Sequence, residues 1–428
     1  MKICDLTQSY TASSGGVRTY IEAKKKFIQK KTNHSHLLIV PGAADQTLQT
    51  GRSVVYEIKA PRIPGCAPYR FILNLFKVYS ILKAEKPDVI ELGSGYILPW
   101  VAFIYRFRHE CAVISFYHTD YPTAYLRPVV TRFFGHRAGI FAEKLGQQYV
   151  RLVYKKFKVT LTASQRLKEK LDWLKISQVH YLPLGVETRI FHPGKRNSSL
   201  RQKLGLTRQN ILLLYVGRLD PEKRVHIILE AFRQIPAPHP FHLLCIGDGP
   251  LKNQLIENTS SNPRIKILPY ENNRKKLSEF FASADIYITA GPHETFGLCV
   301  LEAQSSGLPV IGVRAGALLE RVPETVGLLG SVDSPSEMTQ NILKLSQLNY
   351  RKLGRNARWF TEQNYSWDQI FAHLLQLYEQ QCSTEKNKQP MFLPYTFCFN
   401  NPKIEFHLTS EANRHGNRNE KFPLRDQL

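Results

Sequence analysis

Short apolar runs alternate with amphipathic stretches along most of the chain, and the alternation happens twice, which restricts the fold to parallel sheets flanked by helices. In the first half Lys2 to Thr7, Leu37 to Pro41, Val54 to Ile58, Asp88 to Leu92, Ala112 to Tyr117, Val159 to Ala163 and Val179 to Leu184 read as strands. Val17 to Gln29, Phe71 to Glu85 and residues 121–157 read as helices between them. The texture changes after Gly185, where Phe191-His-Pro-Gly194 and the polar run Lys195 to Ser199 make a linker. A second alternation begins at Asn210, with strands at Ile211 to Gly217, Phe241 to Ile246, Ile265 to Leu268, Ala284 to Thr289 and Leu308 to Val313. Helices at Ser336 to Leu348 and Asp368 to Gln380 close it. The pattern predicts an α/β protein of two doubly wound domains, residues 1–185 and 186–362, then a helical segment, 363–382. Residues 383–428 lack periodicity and read as a disordered tail.

Within the second half, one βαβ unit carries two carboxylates. Glu294 lies in the loop after an apolar strand and Glu302 two turns into the next helix, in Glu294-Thr-Phe296-Gly297-Leu298-Cys-Val-Leu-Glu302. The amides of Phe296, Gly297 and Leu298 would be unpaired at that helix start, and with the helix dipole behind them they suit phosphate. Glu302 is poorly placed for phosphate and well placed for ribose hydroxyls, so acid beside an anion site suggests a sugar nucleotide. Solvated surface acids are an equally good explanation of the spacing alone.

Arg218 and Lys223 follow a strand of the same half, where two cations on one turn can neutralise a diphosphate. His118 ends a strand of the first half, placed to donate to a substrate oxygen or to titrate near neutrality, although a structural histidine fits as well. Gly15-Gly16 would let backbone approach a ligand. Neither Gly-x-Gly-x-x-Gly nor a Walker lysine pattern is present, which counts against dinucleotide oxidoreductases and P-loop enzymes.

The net charge of +23 is concentrated: residues 1–185 hold 28 Lys and Arg against 12 Asp and Glu, +16 of the total. Such asymmetry points to an acidic partner, either nucleic acid, an anionic membrane or an anionic substrate. Aromatic and basic residues interleave from Tyr121 to Lys156, and with Lys24-Lys25-Lys26 and Lys30-Lys31 they could bind a membrane face or RNA. A solvated basic face is the commonest explanation of any one run, and their concentration in one half is what raises the membrane reading. The longest apolar run, Tyr96 to Tyr105, is about half the ~20 residues of a spanning helix. Seven scattered cysteines show no metal-like spacing, and the start Met-Lys-Ile-Cys-Asp is unlike a signal peptide, so a reduced, cytoplasmic setting is expected.

The ordered set Gly15-Gly16-Val17, Ser115-Phe-Tyr-His118-Thr-Asp120, Leu184-Gly-Val-Glu187, Val216-Gly-Arg218-Leu with Glu222-Lys223, Gly247-Asp-Gly-Pro250 and Glu294 to Glu302 resembles the retaining glycosyltransferases of family four. The resemblance spans residues 1 to about 380. It implies the GT-B fold, two facing Rossmann-like domains with a cleft between them, and a final segment from Tyr365-Ser-Trp367-Asp368 that crosses back to the first domain. Carried over by position, His118, Arg218, Lys223 and Glu294 would be catalytic. Gly15, Gly16, Phe296, Gly297, Leu298 and Glu302 would bind the donor, Glu302 at the ribose and Glu294 at the hexose, while Leu268 to Glu271 would frame the base. The resemblance implies no metal and no cofactor, only an NDP-sugar donor, GDP- or UDP-linked.

Tyr-His-Thr-Asp and Pro87-Asp-Val-Ile-Glu91-Leu-Gly look most like enzymes that glycosylate membrane lipids, such as α-mannosyltransferases and sulfoquinovosyl diacylglycerol synthases. The run after Asp120 departs from their pattern, including Phe133-Phe-Gly-His-Arg137, in the region that faces the acceptor. Asp120, Tyr121, Tyr125, Arg132 and Arg137 are therefore candidates for acceptor or membrane contact. The expected activity is hexosyl transfer, mannose or glucose type, to a lipid or lipid-linked acceptor by a peripheral enzyme on the inner membrane face. A soluble sugar or polysaccharide acceptor is the alternative, and a basic membrane- or nucleic-acid-binding scaffold is the non-enzyme one.

Overall fold

The computed structural model describes residues 1–11, 15–63, 69–294 and 296–387. The first sheet contains β1 (Lys2–Leu6), β2 (Ser35–Gly42), β3 (Gln46–Thr50), β4 (Ser53–Lys59), β5 (Val89–Leu92), β6 (Ala112–Tyr117), β7 (Thr160–Thr162) and β8 (Val179–Tyr181), in the order β3-β4-β2-β1-β5-β6-β7-β8. All its pairings are parallel except the β3–β4 hairpin, whose polar edge strand the apolar pattern does not predict. The second sheet contains β9 (Ile211–Val216), β10 (Phe241–Ile246), β11 (Ile265–Leu268), β12 (Ile286–Ile288), β13 (Val310–Val313) and β14 (Gly327–Gly330). Its order, β11-β10-β9-β12-β13-β14, is the doubly wound order in which the strand sequence reverses beside the first strand. Ligands bind at that reversal, outside the carboxyl ends of the strands, because helices on opposite faces leave a crevice there. Arg218 follows β9 and Glu294 follows β12, so the reversal sets them side by side.

Near-continuous apolar runs such as Ile211-Leu-Leu-Leu-Tyr-Val216 make these strands because both faces are covered by helices, and Leu213, Leu214 and Tyr215 are buried. The helix Gly16–Lys31 departs from the expected basic face. Lys24 is fully buried, donating to Asp5 Oδ1 at 2.6 Å and Glu91 Oε1 at 2.9 Å. Asp5 also holds His36 at 2.7 Å, and Glu91 accepts from Tyr20 at 3.0 Å and Tyr378 at 2.5 Å. Tyr378 belongs to the last helix, Trp367–Asn387, which thereby returns to pack on the first sheet.

Several boundaries move. The helix expected from Phe71 starts at Leu75, capped by the Asn74 side chain. A helix at Tyr350–Asn364 runs through the boundary drawn at 362, and Leu98–Arg108 is helical. The last helix continues to Asn387, so residues 383–387 are not the tail they were expected to be; the rest of that tail lies outside the described residues. Among the described residues no helix is long and apolar enough to cross a membrane.

Candidate active site

Val216 ends β9, and the chain then turns through Gly217 and Arg218 into a short 3₁₀ turn, Pro221–Lys223. Asp220 caps that turn by accepting from the Lys223 amide at 3.2 Å, which aims the lysine at the end of β12. There Lys223 Nζ meets Glu294 Oε2 at 2.8 Å. The other carboxylate oxygen accepts from the Gly297 amide at 3.1 Å. Gly297 has φ of +80° and caps the helix Leu298–Ser305, a backbone conformation that a Cβ would strain. The helix start expected to offer three free amides thus has one of them filled by the site's own carboxylate. Burial pushes the Glu294 carboxyl up, but the Lys223 ammonium and the Gly297 amide outweigh it and hold Glu294 below the usual range. Burial likewise lowers Lys223, and Glu294 and Glu222 more than restore it. The pair is charged, half-buried and open to the crevice.

Arg218 lies beside it, bridged to Asp220 at 2.7 Å and Glu222 at 2.9 Å with about half of its side chain exposed. Glu302, one turn past Leu298, is buried, and Arg274 holds one of its oxygens at 3.1 Å. Burial raises the Glu302 carboxyl above its ordinary value, and Arg274 only partly offsets this. Across the crevice Gly16 begins the helix Gly16–Lys31 so near the helix Leu298–Ser305 that a Cβ on it would touch Leu298 Cδ1 at 3.7 Å. Gly15 is its cap, with open space around it. Two cations, two acids and two facing helix starts therefore line one crevice.

The family described as "Glycosyltransferase Family 4" matches residues 14–190, and "Glycosyl transferases group 1" matches residues 197–387. The chain belongs to the family-four, group 1 glycosyltransferases, a retaining family. The glycosyltransferase is 26% identical over 387 residues to a GDP-mannose-dependent alpha-mannosyltransferase of Corynebacterium glutamicum, covering 88% of each chain. It is also 26% identical to a GDP-mannose-dependent alpha-(1-6)-phosphatidylinositol dimannoside mannosyltransferase of Mycobacterium tuberculosis, over 88% of this chain and 95% of that one. Its fold is GT-B, like that of sucrose-phosphate synthase from Thermosynechococcus elongatus, with a TM-score of 0.74 at 19% identity over 90% of this chain and 99% of the other.

The remaining expected residues divide. In the glycosyltransferase His118 stacks on Phe116 with ring centroids 4.1 Å apart and meets Tyr20 edge-on at 5.5 Å. Burial, followed by the Lys24 charge, lowers its imidazole to about 3, so the expectation that it could titrate near neutrality is corrected: the ring is neutral there. Asp120 accepts from Tyr117 at 3.0 Å and pairs with Lys170, contacts that brace the end of β6 against the helix Gln165–Trp173. Tyr121 packs on Tyr96 at 4.9 Å, its hydroxyl buried without a hydrogen-bond partner. Tyr125 alone of this group reaches the crevice: burial raises its phenol, as does Glu222, while Arg218 and Lys223 pull it down. Arg132 and Arg137 are exposed, far along the helix from these charges.

Three residues escaped the sequence reading. Arg274, stacked on Phe191 at 5.0 Å, joins Glu302 to Glu187 at 3.5 Å, and Glu187 meets Lys26 of the first half at 2.7 Å. Arg321 is fully buried between the Phe296 and Tyr365 rings, 4.7 Å from each, and donates to the carbonyls of Phe296 and Ala163 at 3.3 and 3.0 Å. It ties the loop before the helix Leu298–Ser305 to the end of β7. Glu187 lies in the quoted Leu184-Gly-Val-Glu187 motif, a signal that could have marked it; Arg274 and Arg321 follow no local pattern.

Proposed function

We propose that this glycosyltransferase moves a hexosyl group of mannose or glucose type from a GDP- or UDP-sugar to a lipid or lipid-linked acceptor at the cytoplasmic face of the membrane, with retained anomeric configuration and without a metal ion. The observation that carries the donor half is the Lys223–Glu294 pair capped by the Gly297 amide, with Arg218 beside it and Glu302 on the next turn. The bond between the anomeric carbon and the diphosphate breaks, leaving an oxocarbenium-like sugar and an additional negative charge. Arg218 and Lys223 meet that charge, and such preorganised groups act most strongly where water is excluded. Glu294 holds hydroxyls of the transferred sugar and Glu302 those of the ribose. The acceptor hydroxyl attacks on the face the diphosphate leaves, its proton passing to the departing phosphate oxygen. His118, neutral and close to the first-half wall of the crevice, donates a hydrogen bond to the sugar without acting as an acid.

The acceptor half is supported by two mannosyltransferase relatives, one named for a phosphatidylinositol dimannoside, and by the basic first half. A thermal-shift series with UDP-, GDP- and ADP-sugars tests the donor, because a ligand bound only by the folded state raises its unfolding temperature. One nucleotide class should shift wild type, and Glu302→Ala should lose the shift. No shift with any of them, together with no transfer from any NDP-sugar to lipid extracts, sinks the reading.

A further inference from the structure

The helical stretch after β6 was expected to be continuous, but it leaves the sheet, turns at Gly135 and comes back. Gly135 has φ of +84° and ψ of 170°, which breaks the helix Arg127–Tyr154 in two. Its limbs run antiparallel. Gly146 packs against Pro122 and Leu126, Glu143 pairs with Arg127 at 3.2 Å and accepts from Thr123 at 2.8 Å, and a Cβ on Gly139 would collide with Thr131. Every contact nearer the tip on one limb meets one nearer the tip on the other, so the hairpin closes at Gly135. Residues 132–137 are all exposed, Phe133 and Phe134 by 71% and 77%. Val129, Phe141 and Leu145 are exposed lower on the limbs. No acid occurs from Arg127 to Ala142, while Arg132, His136 and Arg137 surround the two phenylalanines.

Apolar points ringed by cations fit the boundary of an anionic bilayer, where aromatic rings enter the acyl edge and arginines remain at the phosphates. We propose that this hairpin is a membrane wedge, with Phe133 and Phe134 inserting into the headgroup layer, Arg132 and Arg137 holding lipid phosphates, and the hairpin base presenting a lipid-borne acceptor to the crevice. Tyr125 at that base shares the field of Arg218, Glu222 and Lys223 and stands about 14 Å along the helix from Phe134. A glycosylated head group spans such a distance. The inference rests on the lipid-acceptor reading above and names the surface that serves it.

Flotation of the full chain with vesicles of phosphatidylcholine alone, and of phosphatidylcholine mixed with phosphatidylglycerol, tests both. Wild type should float with the anionic vesicles. Phe133→Ser/Phe134→Ser should bind them at least about tenfold more weakly, and Arg132→Gln/Arg137→Gln should lose about fivefold per arginine at low salt. Both variants should keep the wild-type unfolding temperature and nucleotide-induced shift. If wild type floats and the phenylalanine variant floats equally, the wedge is wrong and the lipid-acceptor reading stands. If wild type ignores both vesicles, both fall. Retention on polyuridylate that depends on the phenylalanines, without flotation, overturns the wedge in favour of nucleic acid.

Discussion

Lys24 and Lys223 are both lysines paired with acids at the strands of a sheet, and they differ in how far that pairing is closed to solvent. Around Lys24 all four oxygens of Asp5 and Glu91 have named donors: Lys24 twice, His36, and Tyr20 with Tyr378. The cluster is closed to water and holds the last helix to the first sheet. Around Lys223 each oxygen of Glu294 also has one named donor, Lys223 or the Gly297 amide, but 23% of the Glu294 side chain is exposed and the Arg218 guanidinium beside it is turned partly to solvent. A cluster closed to water specifies structure; one open to solvent at a strand-order reversal can exchange its water for a ligand.

The largest effect expected is on the closed cluster. Lys24→Met strands two buried carboxylates and should cost about 3–5 kcal/mol of stability, read as a fall in the urea midpoint. Lys223→Met should lower the single-turnover transfer rate by roughly 10²- to 10³-fold, the usual loss for one preorganised charge. Its urea midpoint should move far less, because the Glu294 carboxylate can rehydrate in the crevice. If Lys223→Met proves the more destabilising, the contrast between the clusters is broken.

That contrast is invisible in sequence. Lys24-Lys25-Lys26 reads as a basic surface, yet the residues that turn Lys24 inward come from Asp5, Glu91 and Tyr378, remote in the chain. Alternating apolar runs reveal most strands because both sheet faces are covered, whereas β3, polar on an exposed edge, has no such pattern. The acids of the crevice are legible because one strand-turn-helix unit carries both. Arg274 and Arg321 are not, since their roles depend on packing between segments that only the fold brings together. Helicity from 121 to 157 is legible, and the reversal at Gly135 is not, because a glycine within a helical pattern is often tolerated.

His118 sharpens the comparison from a third position, close to the closed cluster and to the crevice. Its folded imidazole titrates at about 3 against the ordinary 6.5. Above that ordinary value both states are neutral and the residue adds no pH dependence. Below it the unfolded chain binds a proton that the folded one refuses, so stability falls by up to about 1.4 kcal/mol per pH unit, or about 2 kcal/mol by pH 5. The loss ends as the native ring itself titrates. His118→Gln should flatten that slope in urea unfolding across acid pH, and an unchanged slope would mean that the native ring does take up the proton.

Arg274 occupies the middle ground, paired like Lys24 on one side and open like Lys223 on the other, and the smallest effect is expected there. It holds one oxygen of Glu302, while its link through Glu187 to Lys26 reaches the first half. Burial already raises the Glu302 carboxyl, and Arg274 opposes that rise. Removing the arginine leaves a carboxylate that protonates more readily and loses its orientation, and a protonated acid accepts ribose hydroxyls less well. Arg274→Gln should therefore raise the donor KM about tenfold, equivalent to about 1.4 kcal/mol, while kcat stays within about twofold, as expected for binding common to ground and transition states. The weakening should begin at higher pH than in wild type, because the carboxyl that must stay ionised has moved up. Arg274→Lys should recover the charge and the pH profile but only part of the affinity, since an ammonium cannot reach both acids as a guanidinium fork does. An equal fall in kcat would instead assign Arg274 to the reacting end of the donor, alongside Lys223.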